Sequence, residues 1–547
     1  AGDLMKYSVK KRNIPSRKDY YIISMQIMII LAFLFQLILA GMIGDKGMAC
    51  YGVAFQWVVL LSGVIGYGLS EAVAQLVRYR VKREQYRETQ KILGAAVTLG
   101  AVSGILAGLL TAAFGSFLAV KIVKIPLAEL SFGAVSPAIV CFILIYVMQG
   151  YFRGNGSRVP TNISRIMQGI LLLAGGLLGA GMFQGYGKKV SALLQNEDYT
   201  SAYGAMGASA WILLPAVLTL LYLAALYLLY RRNLKAQSRE LSKAADGSLH
   251  VFHMLISGGA LYSLFFLVTN GKVLAGEMIL MSGKAAAESL LSEWGRFYGK
   301  VLPIIGIAEA LICILLLPAV RRLLVLEERD ETRLAREKLK ILIHQGAAVS
   351  IPAAVFLAVF SENVLNVLYG GNNAVAAGWL AFSAVGIVFF TFMTLFLEIL
   401  SKGRKHLLAA GISGAAFLVY LGVLFIVESG KLSGINGLVF AELLSLALAA
   451  GGSFYFICRR FSYRQEWLKT FAVTVVAAAV SGTVGMLLNK GLSGVLGDLI
   501  SLLICLVISI LIYVGILIVL RAFGEEELEN MAGGMLYKKL AEMLHFM

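Results

Sequence analysis

Arg87-Glu88-Thr89-Gln90-Lys91-Ile92-Leu93 returns 249 residues later as Arg336-Glu337-Lys338-Leu339-Lys340-Ile341-Leu342. Each heptad sits in a basic linker between two long apolar stretches, and the surroundings repeat in the same order. Tyr51-Gly52 matches Tyr298-Gly299, Ala72-Val73 matches Ala319-Val320, and Phe152-Arg153-Gly154 matches Ser401-Lys402-Gly403, all at offsets of 247 to 249. One offset kept over about a hundred positions marks two copies of a structural unit, which amphipathic composition alone would not give.

The composition says what the unit is made of. Of 547 residues 59% are hydrophobic and 14% charged, with a mean hydropathy of +0.81, against about 45–50% and about 25% in soluble domains. So much apolar surface has no water-soluble core to fill, and the chain reads as an integral membrane protein. A helix crossing about 30 Å of hydrocarbon needs roughly 20 apolar residues. Fourteen stretches qualify, near 22–43, 52–77, 92–120, 132–152, 160–185, 204–230, 251–270, 299–324, 342–360, 375–400, 406–427, 434–458, 469–489 and 497–520. The first is too long for a signal-peptide core.

The predicted fold is all-α, with fourteen transmembrane helices. The repeat divides them into an N-lobe of six (1–235), a C-lobe of six (236–465) and an extra pair (466–522), followed by an amphipathic cytoplasmic tail (523–547). An even number of helices per copy makes the repeat parallel, which places a substrate site between the lobes and implies alternating access.

The net charge of +17 reports orientation. With the N-terminus cytoplasmic, 37 of the 48 Lys and Arg residues fall in cytoplasmic segments, as the positive-inside bias requires. Both termini are therefore expected in the cytoplasm. The cations thus do not point to a nucleic-acid partner. Five scattered cysteines offer neither a disulfide framework nor a zinc site, and no metal is expected. Pro137, Pro215, Pro303, Pro318 and Pro352 lie within or at the ends of spans, where they favour bends.

Several chemistries are missing. There is no phosphate-cradling G-x-x-x-x-G-K-[ST] loop and no H-E-x-x-H pair. No external domain presents the paired carboxylates or nucleophile of an enzyme. The expectation is a secondary transporter without a cofactor, driven by a proton, a monovalent cation, the membrane potential or the substrate's own gradient.

Short ordered motifs then carry a family resemblance. Gly44-Asp45-Lys46-Gly47 before Tyr51 resembles the turn after helix 1 in the MOP flippase superfamily, in the branch of MurJ-type lipid II flippases, stage V sporulation protein B and polysaccharide transporters. Gly68-Leu69-Ser70-Glu71-Ala72-Val73 is similar to that branch's helix 2 end, with Ser70 where proline is usual. Gln149-Gly150-Tyr151-Phe152-Arg153-Gly154 before Pro160-Thr161 resembles the helix 4 to 5 junction, and Leu316-Leu317-Pro318-Ala319-Val320 the end of helix 8. Ile351-Pro352 with Leu365-Asn366-Val367-Leu368-Tyr369-Gly370 resembles helix 9 and its outer loop. The tail Gly524-Glu525-Glu526-Glu527-Leu528 ending in Lys538-Lys539-Leu540 is similar to tails of Gram-positive members.

The resemblance implies a MurJ-like fold and a monomeric flippase that moves an undecaprenyl-type, diphosphate-linked oligosaccharide or peptidoglycan precursor from the inner to the outer leaflet. It also implies a groove for the lipid tail along the last two spans. One departure is clear: Tyr20 to Gly44 contains no Lys or Arg, whereas lipid II flippases of this family carry helix 1 arginines that engage diphosphate. The rival readings are a multidrug or cation antiporter of the same superfamily and a non-transporting scaffold of envelope or spore assembly.

A diphosphate moved through low dielectric needs cations. Arg296 and Lys300, one turn apart before span 8 and near the family's helix 8 cation, are the first candidates for substrate binding. Lys272 and Lys284 share their segment, and Gln26, Gln36 and Gln56 are candidate contacts for sugar hydroxyls. Glu309 and Glu442, deep in spans 8 and 12, are the candidates for ion coupling. Glu71, Arg153 and Glu398 lie near the cytoplasmic face as candidate gate residues.

Overall fold

The computed structural model describes residues 19–238, 247–282, 288–402, 405–428, 434–520 and 522–523; Lys284 and nearly all of the predicted amphipathic tail lie outside the described residues. Helices account for the architecture, with no strand among the described residues. In chain order they are α1 (Ile23–Val81), α2 (Tyr86–Ala113), α3 (Pro126–Gly154), α4 (Val159–Leu194) and α5 (Asp198–Arg231). There follow α6 (Leu249–Asn270), the short α7 (Lys272–Ser282), α8 (Ser289–Glu328), α9 (Thr332–Val359) and the short α10 (Ser361–Tyr369). The chain continues through α11 (Ala374–Ser401), α12 (His406–Glu428), α13 (Ile435–Phe461), α14 (Leu468–Leu492) and α15 (Asp498–Val519).

Thirteen of these are long and apolar enough to cross a membrane, one fewer than the fourteen expected. The difference lies in α1, where the expected spans 22–43 and 52–77 form one helical run broken in backbone angle only at Gly44 (φ 72°, ψ 179°). The left-handed φ is open to glycine because it has no Cβ. At about 1.5 Å per residue, a straight helix of 59 residues would be far longer than the hydrocarbon is thick. The run instead doubles back at Gly44: its two ends, Ile23 and Val81, line the same cavity.

Two sets of helices pack mainly within themselves. In the first, α1 lies along α3, α4 and α5, and α2 lies against α3. In the second, α8, α9, α11, α12 and α13 pack in succession. The sets meet along α1, which contacts the start of α8 at its turn and, further along, α6, a helix that also packs on α12 and is counted with the second set. The predicted boundary near residue 235 falls beside the undescribed residues 239–246.

Small residues set the close approaches, as expected where lipid supplies no hydrophobic drive between helices. A Cβ on Gly150 of α3 would stand 2.4 Å from the Ser70 carbonyl oxygen of α1. Gly150→Ala should therefore force these helices apart at a cost of about 1–3 kcal/mol, seen as a lowered melting temperature in detergent with exposed glycine sites such as Gly94 as controls. The prolines sit where bends are tolerated: Pro137, Pro318 and Pro352 lie inside helices, and Pro303 opens the regular part of α8.

α14 and α15 pair with each other and hold to the second set through α9. The Tyr513 hydroxyl donates to the Ala348 carbonyl at 2.9 Å, and the Tyr513 ring meets Phe356 edge-on. At the chain's last described residue, Phe523 lies over His344 of α9 with ring centroids 4.5 Å apart.

Candidate functional site

The turn at Gly44 places two opposite charges next to each other and sends them to different helix sets. Lys46 turns to α5, its Nζ lying 2.8 and 2.9 Å from the two Asp198 oxygens. Asp45 turns to α8, accepting from Arg296 Nε at 2.9 Å and pairing with Lys300 Nζ at 3.4 Å. Residues Phe297–Val301 form a π-helical turn, a widened register often met at functional sites. Lys300 also lies 5.6 Å from the centre of the Tyr369 ring, and the Tyr369 hydroxyl donates to the Gly299 carbonyl at 3.1 Å. Gly295 faces the Asp45 carbonyl, Gly299 faces Met48, and Gly52 faces the Tyr298 ring. In the expected orientation this junction is the outer end of the contact between the sets, and it is shut.

A cavity of about 310 Å³ lies beneath it, within the second set. It gathers Lys272, Glu309 and Glu442 with Trp294, Phe390 and Tyr420. Lys272 is buried; its Nζ donates to Ser445 Oγ at 2.7 Å and reaches Glu442 Oε1 at 3.4 Å. Glu309 has Glu442 and Lys272 as charged neighbours. The structure thus separates Lys272 from Arg296 and Lys300, with which sequence proximity had grouped it, and places it with the two carboxylates considered for coupling.

Near the expected cytoplasmic face, Arg153 donates to Glu71 Oε1 at 2.7 Å and to Ser70 Oγ at 2.9 Å. Both residues belong to the first set, so the pair fastens α1 to α3 and does not bridge the sets. The bridge there is Gln75 of α1, whose Nε2 donates to the Tyr262 hydroxyl of α6 at 2.6 Å. Glu398, Tyr67, Tyr262 and His406 line a second cavity of about 310 Å³ between the sets. Gln26 and Gln36 are half-buried on α1, while Gln56 lies beside Tyr298.

The whole arrangement resembles solved transporters. The chain matches "Lipid II flippase MurJ, inward closed conformation" with a TM-score of 0.67, covering 91% of this chain and 97% of that one at 13% identity. The chain has the fold of the MOP superfamily. An inward-facing multidrug resistance MATE family transporter of the MOP superfamily matches at a TM-score of 0.58 and 15% identity, over 80% of this chain and 94% of that one. In sequence, the MOP-fold chain is 21% identical over 528 residues to Stage V sporulation protein B of Bacillus subtilis (strain 168), covering 91% of this chain and 94% of that protein. No protein-family model matches.

Sequence reasoning missed four participants of the MOP-fold site. Asp45 and Lys46 were legible as a charged turn, but not which helix each would grip. Tyr262 carries no signal outside its partner Gln75. Glu277 of α7 is fully buried, and its position inside an apolar segment, Val273 to Met281, was the sign available.

Proposed function

We propose that the chain is a secondary transporter that moves an undecaprenyl-type, diphosphate-linked oligosaccharide or peptidoglycan precursor from the inner to the outer leaflet, with the two helix sets rocking as lobes. The observation that carries this reading is the outer junction: two cations, Arg296 and Lys300, share one carboxylate, Asp45. The surplus positive charge lies where the sets meet, and a diphosphate can take over Asp45's contacts with charge-assisted hydrogen bonds of the same geometry. Similarity in sequence to a sporulation protein and in fold to a lipid II flippase supports a lipid-linked substrate. The Lys-free and Arg-free first half of α1 favours a carrier other than lipid II itself. We place the protein in the bacterial cytoplasmic membrane as a monomer with both termini cytoplasmic, its partners being the substrate and the surrounding lipids.

The test is reconstitution. Liposomes containing the purified protein should accelerate inner-to-outer movement of a fluorescent undecaprenyl-diphosphate sugar, read by quenching from the outer medium. The second reading, a multidrug or cation antiporter, is favoured by the carboxylate cavity and the MATE-type fold. Drug efflux without lipid movement would establish it instead.

In the lower cavity Lys272 acts as a built-in cation between Glu442 and Ser445. Removing it as Lys272→Ala strands these partners, with an expected loss of about 1–3 kcal/mol. Melting in detergent should show that loss, partly recovered as monovalent salt rises, because the carboxylates then draw in a mobile cation.

A further inference from the structure

Three neighbouring side chains behind the outer junction, two of them fully buried, hold buried polar atoms without partners. Both carboxylate oxygens of Glu277 lack a hydrogen bond, as do the Trp294 indole Nε1 and the Gln56 amide Nε2. Glu277 and Trp294 are each 0% exposed. The Trp294 indole N–H faces Glu277 without completing a hydrogen bond, and Tyr298 and Cys50 lie close enough to sense its charge. α1, α8 and α7 each contribute to this cluster, so it is closed only while the two helix sets are in contact.

Among the described residues, no cation compensates the carboxylate. From α1, Asp45 is taken by Arg296 and Lys300, and Lys46 by Asp198. From α8 come Glu293, Arg296, Tyr298 and Lys300, of which the two cations face Asp45. On α7 itself Lys272 is held by Ser445 and Glu442. α12 brings Tyr420 and α13 brings Glu442, while α6 has His250 and His253 at its opposite end and Tyr262, which pairs with Gln75. An ionised carboxylate buried without hydrogen bonds or a counter-charge costs several kcal/mol, and such a group neutralises instead. Burial accordingly pushes the Glu277 carboxyl well above the usual carboxylate range, opposed only by the Trp294 N–H.

We propose that Glu277 is a proton-binding site of the transport cycle: it holds a proton while the outer junction is closed and releases it to the outer aqueous phase when α1 parts from α8. The step is a plain dissociation of the carboxylic acid to carboxylate and proton, reversed on closing. It rests on the two sets moving as proposed above and adds a ligand to that motion, a proton taken from the outer side. Glu309 and Glu442, already joined by Lys272, do not need it.

The direction follows from linkage. Below about pH 4 both arrangements carry the proton and pH has no leverage. Above that, the open arrangement ionises first, so each rise of one pH unit favours opening by up to about tenfold. The effect ends where the closed arrangement itself loses the proton. An acidic outer medium therefore closes the junction, which returns the empty carrier.

Spin labels on Gln195→Cys and Asn372→Cys, exposed positions on the two sets, report the opening in nanodiscs without substrate, with Cys50, Cys141 and Cys458 replaced by Ser. The long-distance population should grow at least tenfold between pH 5 and pH 8 in the parent protein. Glu277→Gln, which mimics the neutral acid, should keep the short distance at both values, while Glu277→Asp should restore a pH response. A parent protein indifferent to pH, or a Glu277→Gln variant that responds like the parent, overturns the proposal. An intact pH response with no lipid movement in liposomes would instead remove the substrate assignment and leave the proton site standing.

Discussion

Liposomes carrying the Arg296→Ala/Lys300→Ala double variant should move an undecaprenyl-diphosphate sugar at least about 100-fold more slowly than the parent protein. Each cation can offer a charge-assisted hydrogen bond to phosphate, worth about 1.5–3 kcal/mol, and losing about 3 kcal/mol corresponds to roughly two orders of magnitude. The double variant also orphans Asp45, which alone could disturb closure. A triple variant, Asp45→Asn with Arg296→Gln and Lys300→Gln, separates the two effects because it removes the stranded charge. The triple variant should regain the parent's melting temperature and still fail to move the lipid. If it transports normally, the cations serve the junction and not the substrate, and the site assignment falls.

Gly295→Ala should hold the outer junction open. A Cβ at this position would stand 1.7 Å from the Asp45 carbonyl oxygen and 3.1 Å from the Ala49 nitrogen. Both are backbone atoms of α1, with no rotamer to move away. The substitution suits the α8 helix itself, since alanine is the better helix former, so the whole cost falls on contact between the sets. An overpacking cost of about 1–3 kcal/mol shifts the closed-to-open ratio by roughly 5- to 150-fold. Cys50, 2% exposed in the closed junction, is a native reporter. With Cys141 and Cys458 replaced by Ser, its reaction with a membrane-impermeant maleimide added outside should quicken by at least about fivefold. Transport should fall by a similar factor, because a carrier that cannot close outside cannot reload inside. Unchanged labelling would mean that Gly295 and Asp45 do not meet during closure.

What could be read in the sequence followed from periods and runs. The long apolar stretches, the basic linkers and the 249-residue recurrence of Arg87 to Leu93 are each local or strictly repeated, so helical architecture and fold resemblance were legible without coordinates. The first two spans read as separate helices because Gly44-Asp45-Lys46-Gly47 looks like a loop, yet only Gly44 leaves helical geometry and the two form one doubled-back run. The site was less legible because its partners are far apart in sequence: Asp45 meets Arg296, and Lys272 meets Glu442. Lys272 was grouped with Arg296 and Lys300 because all three precede span 8. The short helix α7 instead carries Lys272 into a different cavity. Glu277 passed unnoticed for the opposite reason, since one acid among apolar residues shows nothing of its isolation until α1 and α8 close over it.

The turn at Gly44 also bears on how the protein enters the membrane. Only one residue interrupts the helix between the first pass and the second, a connection short enough to favour insertion of the two as one hairpin. In the proposed orientation, the tip of that hairpin must be carried through the hydrocarbon. A lone Asp or Lys there would cost about 2.5–3.5 kcal/mol on insertion scales. Asp45 and Lys46 cross side by side as an electrically neutral pair, and divide their allegiance only after α5 and α8 have arrived.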